Sequence, residues 1–223
     1  MKRLLSLVAV ATLIQACAST EETVKTSVNA SLNQKAADFR NLATYPGNVT
    51  CGEYLEMGFY KATYNQFIAI DGETLTRPKS VDLAVFCSTT PLQALNESLS
   101  IDYKAQQDSL ERIRRDFEEL DKALQAFKED QARYPSTEEG LKALEDPANF
   151  AAPFTTFPEE GYLSALPQDP WGNPYDYYMS PMAGLDLEYD LQSFGADGVP
   201  GGEGENADIK STYERYFEHI DNL

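Results

Sequence analysis

The chain has 223 residues, with 36 acidic against 18 basic side chains and a formal charge of −18. So few cations argue against a nucleic-acid binder, whose grip rests on Lys and Arg contacts to phosphate, and against an electrostatic hold on anionic lipid. The single histidine, His219, argues against His-based catalysis and multi-His metal sites. Hydrophobic residues make up 42% of the chain, enough to build a core.

In chain order, Lys2-Arg3 and the apolar run Leu4–Ala16 read as the charged and hydrophobic regions of an export signal, too short to span a bilayer. The run ends at Ile14-Gln15-Ala16-Cys17, which resembles the lipobox of bacterial lipoproteins. That resemblance implies removal of residues 1–16, lipidation of Cys17 and a membrane partner through the lipid anchor. Ala18, by resemblance to envelope sorting, favours the outer membrane, with the protein facing the periplasm. An ordinary signal peptide cut near Ala16 or Ala18 is the alternative. Residues 17–44 are polar without a strong period and read as a tether ending in a weak helix.

With Cys17 assigned, Cys51 and Cys87 remain. In an oxidising compartment such a pair is normally bridged. Closing that loop stabilises by about 4 kcal/mol in the chain-entropy model. A catalytic thiol would need a nearby base, and the sole histidine lies far along the chain. Asp71-Gly72 marks a turn between two apolar runs, and Pro91 sits at a favoured first position of a helix. The layout Thr50-Cys51-x-x-Tyr54-Leu55 and Phe86-Cys87-x-x-x-Pro91-Leu92-x-x-Leu95 resembles the HdeA-like family of periplasmic acid-stress chaperones over residues 45–100. The resemblance implies a small, mostly helical, disulfide-tied module that binds clients. An unrelated disulfide-tied domain is the other reading.

Leu110, Ile113, Phe117, Leu120, Leu124 and Phe127 recur at spacings of three and four, the apolar stripe of an amphipathic helix. The stripe predicts a helix packed on a sheet and ending near Gln131, because Pro135 disfavours helix at Tyr134. Ser136 and Glu139 form a capping box ahead of a short helix to Leu144. Pro167, Pro170, Gly172 and Pro174 punctuate a rigid turn around Trp171, the one tryptophan. Residues 175–178 and 187–191 alternate apolar and acidic side chains, as half-buried strands do.

No Lys or Arg occurs between Lys142 and Lys210, a stretch with thirteen acids. It closes on the Gly-rich segment 193–209. Glycines let such a loop bend sharply and aim its carbonyls inward. Its carboxylates, amide and backbone oxygens are the donors a hard cation such as calcium takes. The spacing is not that of an EF-hand.

Three ordered blocks then carry a specific resemblance. Ala123-Leu124-x-x-Phe127-Lys128-x-Asp130-x-x-x-Tyr134-Pro135-Ser136-Thr137-x-Glu139-Gly140-Leu141 is the first. Leu166-Pro167-x-Asp169-Pro170-Trp171-Gly172-Asn173-Pro174-Tyr175 is the second. Ser193-Phe194-Gly195-Ala196-Asp197-Gly198 with Gly201-Gly202 and Ala207-Asp208-Ile209 is the third. Together they resemble the globular domain of the type II secretion major pseudopilin, the G type. The resemblance implies an α+β fold, a long helix on a small antiparallel sheet, with a calcium site in the Gly-rich loop. Carried over by position, Asp197 and Asp208 supply side-chain ligands, Phe194 and Val199 supply carbonyls, and Glu205 or Asn206 adds an oxygen.

Pseudopilins of this family begin with a prepilin peptidase site and a hydrophobic filament helix, neither of which precedes the match here. The chain is therefore not expected to polymerise as a conventional subunit. Residues 213–223 read as a short amphipathic helix that packs into the core, with docking to a partner as the alternative. The expected organisation is a signal (1–16), a tether (17–44), a disulfide module (45–100) and a pseudopilin-like domain (101–223). The expected function is a non-enzymatic envelope lipoprotein, accessory to secretion or a pilus-like machine. A client-binding stress lipoprotein is the alternative. Asp186 and Glu188 could be drafted as acid and base for a hydrolase, but paired acids on a strand usually face solvent, so no enzyme is expected.

Overall fold

The computed structural model describes residues 21–32, 36, 38–58, 60–145, 157–158, 161–179 and 189–223. The signal segment, Cys17 and the pair Asp186/Glu188 lie outside these residues. The chain divides into two compact units, Met1–Ala94 with His219–Leu223, and Leu95–Glu218.

The first unit is built on a four-stranded antiparallel sheet in the order β1 (Phe39–Tyr45), β2 (Val49–Met57), β3 (Ala62–Ile70), β4 (Glu73–Thr76). The longest strands read V-T-C-G-E-Y-L-E-M and A-T-Y-N-Q-F-I-A-I, rich in the β-branched and aromatic side chains that suit a pleated, half-buried surface. Strands β3 and β4 meet at Asp71-Gly72, where both residues adopt positive φ (50° and 87°). That pair of left-handed residues is what a two-residue hairpin turn between right-twisted strands needs.

Helix α1, over residues 21–31, covers one face of this sheet. Val28 is fully buried with Tyr54, Phe67 and Ala69, and Val24, Leu32, Phe39 and Leu42 pack around them. The short helix α2 (Ser80–Phe86) follows, its first turn closed by the Asp82 carboxylate accepting from the Lys79 amide at 2.7 Å. Cys51 in β2 and Cys87 just after α2 are joined by a disulfide, with Cα atoms 6.0 Å apart.

Two expectations change here. Residues 45–100 are not mostly helical, because strands β2, β3 and β4 occupy much of them. The runs between the cysteines alternate around β-branched residues, and their partners are neighbouring strands, a pairing that spacing alone does not reveal. The mostly helical module that the HdeA-like resemblance implied is therefore replaced by a sheet-based one. The tether also folds in part: Val24, Val28 and Leu32, just past the end of α1, recur every fourth residue, Val28 buried and the other two half-buried against the same cluster, and Phe39 opens β1.

The boundary between units falls inside α3 (Pro91–Leu99), which starts at Pro91 as expected. In the second unit, α4 (Gln107–Gln131) runs 25 residues and buries Leu110, Ile113, Phe117, Leu120, Ala123, Leu124 and Phe127. It stops at Ala132, left-handed at φ 57°. The capping-box bonds form, Ser136 N–H to Glu139 at 2.7 Å and Glu139 N–H to the Ser136 hydroxyl at 3.2 Å. They close a turn, and the helix that follows is a single 3-10 turn, Leu141–Leu144.

A three-stranded antiparallel sheet, β5 (Asp176–Met179), β6 (Tyr189–Ser193), β7 (Ile209–Lys210), supplies the other half of this core. Tyr177 and Leu191 are buried on its inner face while Asp176 and Tyr178 are exposed, the period-two pattern of a half-buried strand. The Phe117 and Tyr175 rings meet edge to face at 5.2 Å. Helix α5 (Glu214–Asp221) buries Tyr216 and Phe217, the latter stacked on Tyr103 at 5.4 Å. Arg114 of α4 donates to both Glu214 oxygens at 2.9 Å. The class is thus helix plus antiparallel sheet, as the sequence led us to expect. Among the described residues no helix is long and apolar enough to cross a membrane.

Candidate functional site

The Gly-rich segment leaves β6 at Ser193 and re-enters the sheet at β7. Its two limbs are tied by the Ala196 amide donating to the Glu205 carbonyl at 2.8 Å. Two glycines make that closure possible. A Cβ on Gly195 would lie 2.6 Å from the Glu205 oxygen, and one on Gly202 would lie 2.4 Å from the Asn206 oxygen. Both have positive φ (66° and 99°). The backbone at Glu205–Asn206 is held where only hydrogen atoms fit.

Phe194 and Asp208 stand half-buried at the two roots of the loop, and Asp197 and Val199 are exposed on its outer limb. Glu205 and Asn206 are exposed within the 3-10 turn Gly204–Asn206. One Asp197 oxygen accepts from the Val199 amide at 3.2 Å, and one Asp208 oxygen accepts from the Gly201 amide at 2.9 Å. Each carboxylate is thereby oriented through a single oxygen. Many carbonyls are already engaged: Gly195 accepts from the Asn173 side chain, Glu203 from the Asn206 amide and Gly204 from the Ala207 amide. Those of Phe194 and Val199 accept none of the loop and turn hydrogen bonds among the described residues.

The loop's surroundings are negative. Burial, and then the charges of Asp190 and Asp208, push the Tyr213 phenol above its ordinary range. Among the described residues, no three His, Cys, Asp or Glu side chains gather as a metal cluster. The oxygens the loop offers are two oriented carboxylates and unengaged backbone carbonyls, with Glu205 and Asn206 on the opposite limb. Oxygen sets of this kind suit hard cations and offer nothing to a soft one.

Three residues that sequence reasoning had not assigned brace this loop. Asp169 is only 1% exposed, and its Oδ1 accepts from the amides of Trp171 (3.1 Å) and Asn173 (2.8 Å). Its Oδ2 accepts from the fully buried Ser193 hydroxyl at 2.8 Å. Ser193 in turn accepts from the Gly195 amide at 3.1 Å, and the Asn173 side chain donates to the Gly195 carbonyl at 2.8 Å. The Pro-Trp-Gly turn was legible as rigid. That Asp169, just ahead of it, turns inward onto β6 was not, because an Asp before Pro is as common on a surface turn.

Residues 101–212 match the family model for type II secretion system (T2SS) protein G. The type II secretion system core protein G of Pseudomonas aeruginosa is 44% identical over 95 residues, covering 42% of this chain and 64% of that protein. That of Vibrio cholerae is 44% identical over 90 residues (40% and 59%), and that of Escherichia coli K12 is 39% identical over 84 residues (38% and 56%). The chain thus spans less than two thirds of the length of these relatives. A crystal structure of the major pseudopilin from the type 2 secretion system of enterohaemorrhagic Escherichia coli aligns at 31% identity and a TM-score of 0.41, over 48% of this chain and 86% of that one.

Proposed function

The chain belongs to the type II secretion system protein G family, and from that premise we propose that it is a non-catalytic envelope protein whose second unit is a calcium-stabilised, pseudopilin-like domain serving protein secretion. The match lies within that unit and includes the whole Gly-rich loop. The observation that carries the calcium reading is the loop itself. Glycines close it on its own backbone, and Asp197 and Asp208 each keep one oxygen outside the amide bonds that orient them. These two, with the carbonyls of Phe194 and Val199 and an oxygen from Glu205 or Asn206, are the residues that would hold the ion. Calcium would offset the like charges gathered there and fix the loop; it would supply no chemistry beyond that.

A ligand that binds only the folded state stabilises it by about 2.7 kcal/mol at a hundredfold excess over Kd. Calcium is therefore expected to raise the melting temperature of the protein, and EGTA to lower it. An unchanged melt in both conditions sinks the calcium reading. Asp197→Ala and Asp208→Ala are expected to melt like the chelated protein and to ignore added calcium.

The partners that fit this reading are other components of the secretion machine, reached from a lipid anchor on Cys17 in the outer membrane, facing the periplasm. The support for the anchor is the Ile14-Gln15-Ala16-Cys17 motif. Metabolic labelling with a radioactive fatty acid is expected to mark the wild-type chain and not Cys17→Ser. Cross-linking in envelope preparations is expected to capture secretion components, and a secretion defect in a deletion strain would agree. A strain that secretes normally without the protein would remove the secretion role.

A further inference from the structure

We infer that Asp169 is a positioning residue for the cation loop, acting through Ser193 and Asn173 on the two peptide groups that flank Gly195; this rests on the calcium reading above. The peptide between Phe194 and Gly195 and the one between Gly195 and Ala196 present four polar groups. Three are fixed. The Gly195 amide donates to Ser193, the Gly195 carbonyl accepts from Asn173, and the Ala196 amide donates to Glu205. The fourth is the Phe194 carbonyl. In a trans peptide the C=O points opposite to the N–H of the same unit. Because the Gly195 N–H is turned toward Ser193, the Phe194 oxygen is turned away from it.

Asp169 sets both of the side chains that do this. It accepts from the Ser193 hydroxyl, which leaves the Ser193 oxygen lone pairs to receive the Gly195 amide. It also accepts from the Asn173 amide, which holds Asn173 at the Gly195 carbonyl. The same Asn173 side chain lies where a Cβ on Gly198 would be 3.0 Å from its Oδ1, so it braces the outer limb as well. Two arms from one carboxylate therefore converge on one glycine.

The charge of Asp169 matters too. It is buried, and no Lys, Arg or His of the described residues forms an ion pair with it. A buried carboxylate held only by neutral donors is stabilised by a positive charge placed nearby. Its own stretch of chain, residues 143 to 209, contains no Lys or Arg, and Arg112 of α4 reaches the neighbouring Gln168 carbonyl at 3.1 Å. A cation in the loop would add to the positive charge of Arg112, so Asp169 favours the occupied loop by field as well as by geometry.

The test is calorimetric titration of the full mature chain with calcium chloride alone, for wild type, Asp169→Asn, Ser193→Ala, Ser193→Thr and Tyr177→Phe. Outer-shell partners of metal ligands typically change affinity by about 10–100-fold. Asp169→Asn and Ser193→Ala are expected to raise the calcium Kd by about 10-fold or more, and Ser193→Thr, which restores a hydroxyl, to recover it. Tyr177→Phe removes a buried hydrogen bond to the Pro135 carbonyl, away from the loop, and is expected to lower the melting temperature without moving Kd. If Asp169→Asn does not fold, Ser193→Ala decides. Wild type that binds calcium, with Ser193→Ala and any folded Asp169→Asn binding equally well, overturns the inference even if both melt lower. Wild type that binds no calcium overturns the calcium reading, and the inference with it.

Discussion

The hydroxyl of Tyr175 donates to the carboxylate of Asp116 at 2.7 Å, joining the residue ahead of β5 to the middle of α4. The same pairing recurs twice along the helix: Tyr189 donates to Asp121, and Tyr162 donates to Asp130 at 3.0 Å. Tyr175 and Tyr162 lay their rings against Phe117 and Phe127 of the apolar stripe, Tyr189 lays its ring on Tyr134 and Tyr177, and all three place their hydroxyls on the helix's acids. This is why a helix so rich in carboxylates still packs on its sheet.

Tyr175→Phe tests that arrangement. The ring contact with Phe117 survives, but Asp116 loses its short donor and, among the described residues, keeps a distant Arg112 contact at 3.9 Å. Hydrogen bonds to charged groups contribute about 1.5–3 kcal/mol, so urea unfolding is expected to show a loss of that order. A change near zero would mean that solvent takes over the acid fully.

The same tyrosines predict an alkaline limit. Burial first, and then the hydrogen bond to the acid, push the phenols of Tyr175 and Tyr189 well above their ordinary range, and burial does so for Tyr177. A raised folded value means that the stabilisation is complete below the unfolded value of about 10 and is lost as pH rises beyond it. Absorbance titration near 295 nm is expected to show these phenols ionising only as the protein unfolds. Ionisation of every tyrosine in one step near the ordinary value, with the fold intact, would contradict this.

His219 predicts the acid side. Its ring lies 4.9 Å from Phe86, it is 5% exposed, and its Nε2 has no hydrogen-bond partner among the described residues. Burial lowers its value below the ordinary 6.5, and the charge of Asp71 opposes that. The neutral ring therefore contributes fully above about pH 6.5. The contribution falls as the unfolded chain takes up a proton, and levels off once the folded imidazole protonates. Melting temperature is expected to drop between pH 7 and 5, and the drop is expected to shrink in His219→Leu. An equal drop in both proteins would place the effect on the carboxylates.

Gly202→Ala tests the closure of the Gly-rich loop. The added methyl would meet the Asn206 oxygen at 2.4 Å, and φ there is 99°. Backbone strain of this kind costs of order 1–3 kcal/mol, and the loop is expected to open to relieve it. Hydrogen exchange at the Ala196 amide, which closes the limbs, is expected to quicken; unaltered exchange would show that the backbone yields elsewhere.

Reduction of Cys51–Cys87 should destabilise the first unit. The bridge spans 36 positions, for which the chain-entropy model gives about 4 kcal/mol. Thermal melts with and without reductant, in parallel with Cys51→Ala/Cys87→Ala, are expected to agree. No shift in either would mean that the sheet constrains this segment without the bond.

What could be read beforehand follows the reach of each signal. The α4 stripe, its end before Pro135 and the Asp71-Gly72 turn depend on residues within a few positions of each other, and all were legible. Strands β1 to β4 were not, because paired residues along the three hairpins lie as far apart as Thr50 and Ala69, and the pairing leaves no local period. The apolar stripe along α1 and just past its end contains only three residues, Val24, Val28 and Leu32, too few to stand out from a polar segment. In the site, the acids and glycines were visible as a composition. Asp169, Asn173 and Ser193 were not, since their role depends on β6 lying beside the Trp171 turn.

The ion pair of Arg114 with Glu214 joins positions one hundred residues apart. Residues 209–217 also supply β7 and the buried Tyr216 and Phe217. A core completed by such distant contacts forms late, since the chain must close a long loop before the contacts reward it. Delivered N-terminus first from a ribosome, the second unit stays unfinished until residues 209–217 have emerged. The topology of the second unit thus delays its own closure, while the first unit's sheet is built from neighbouring hairpins.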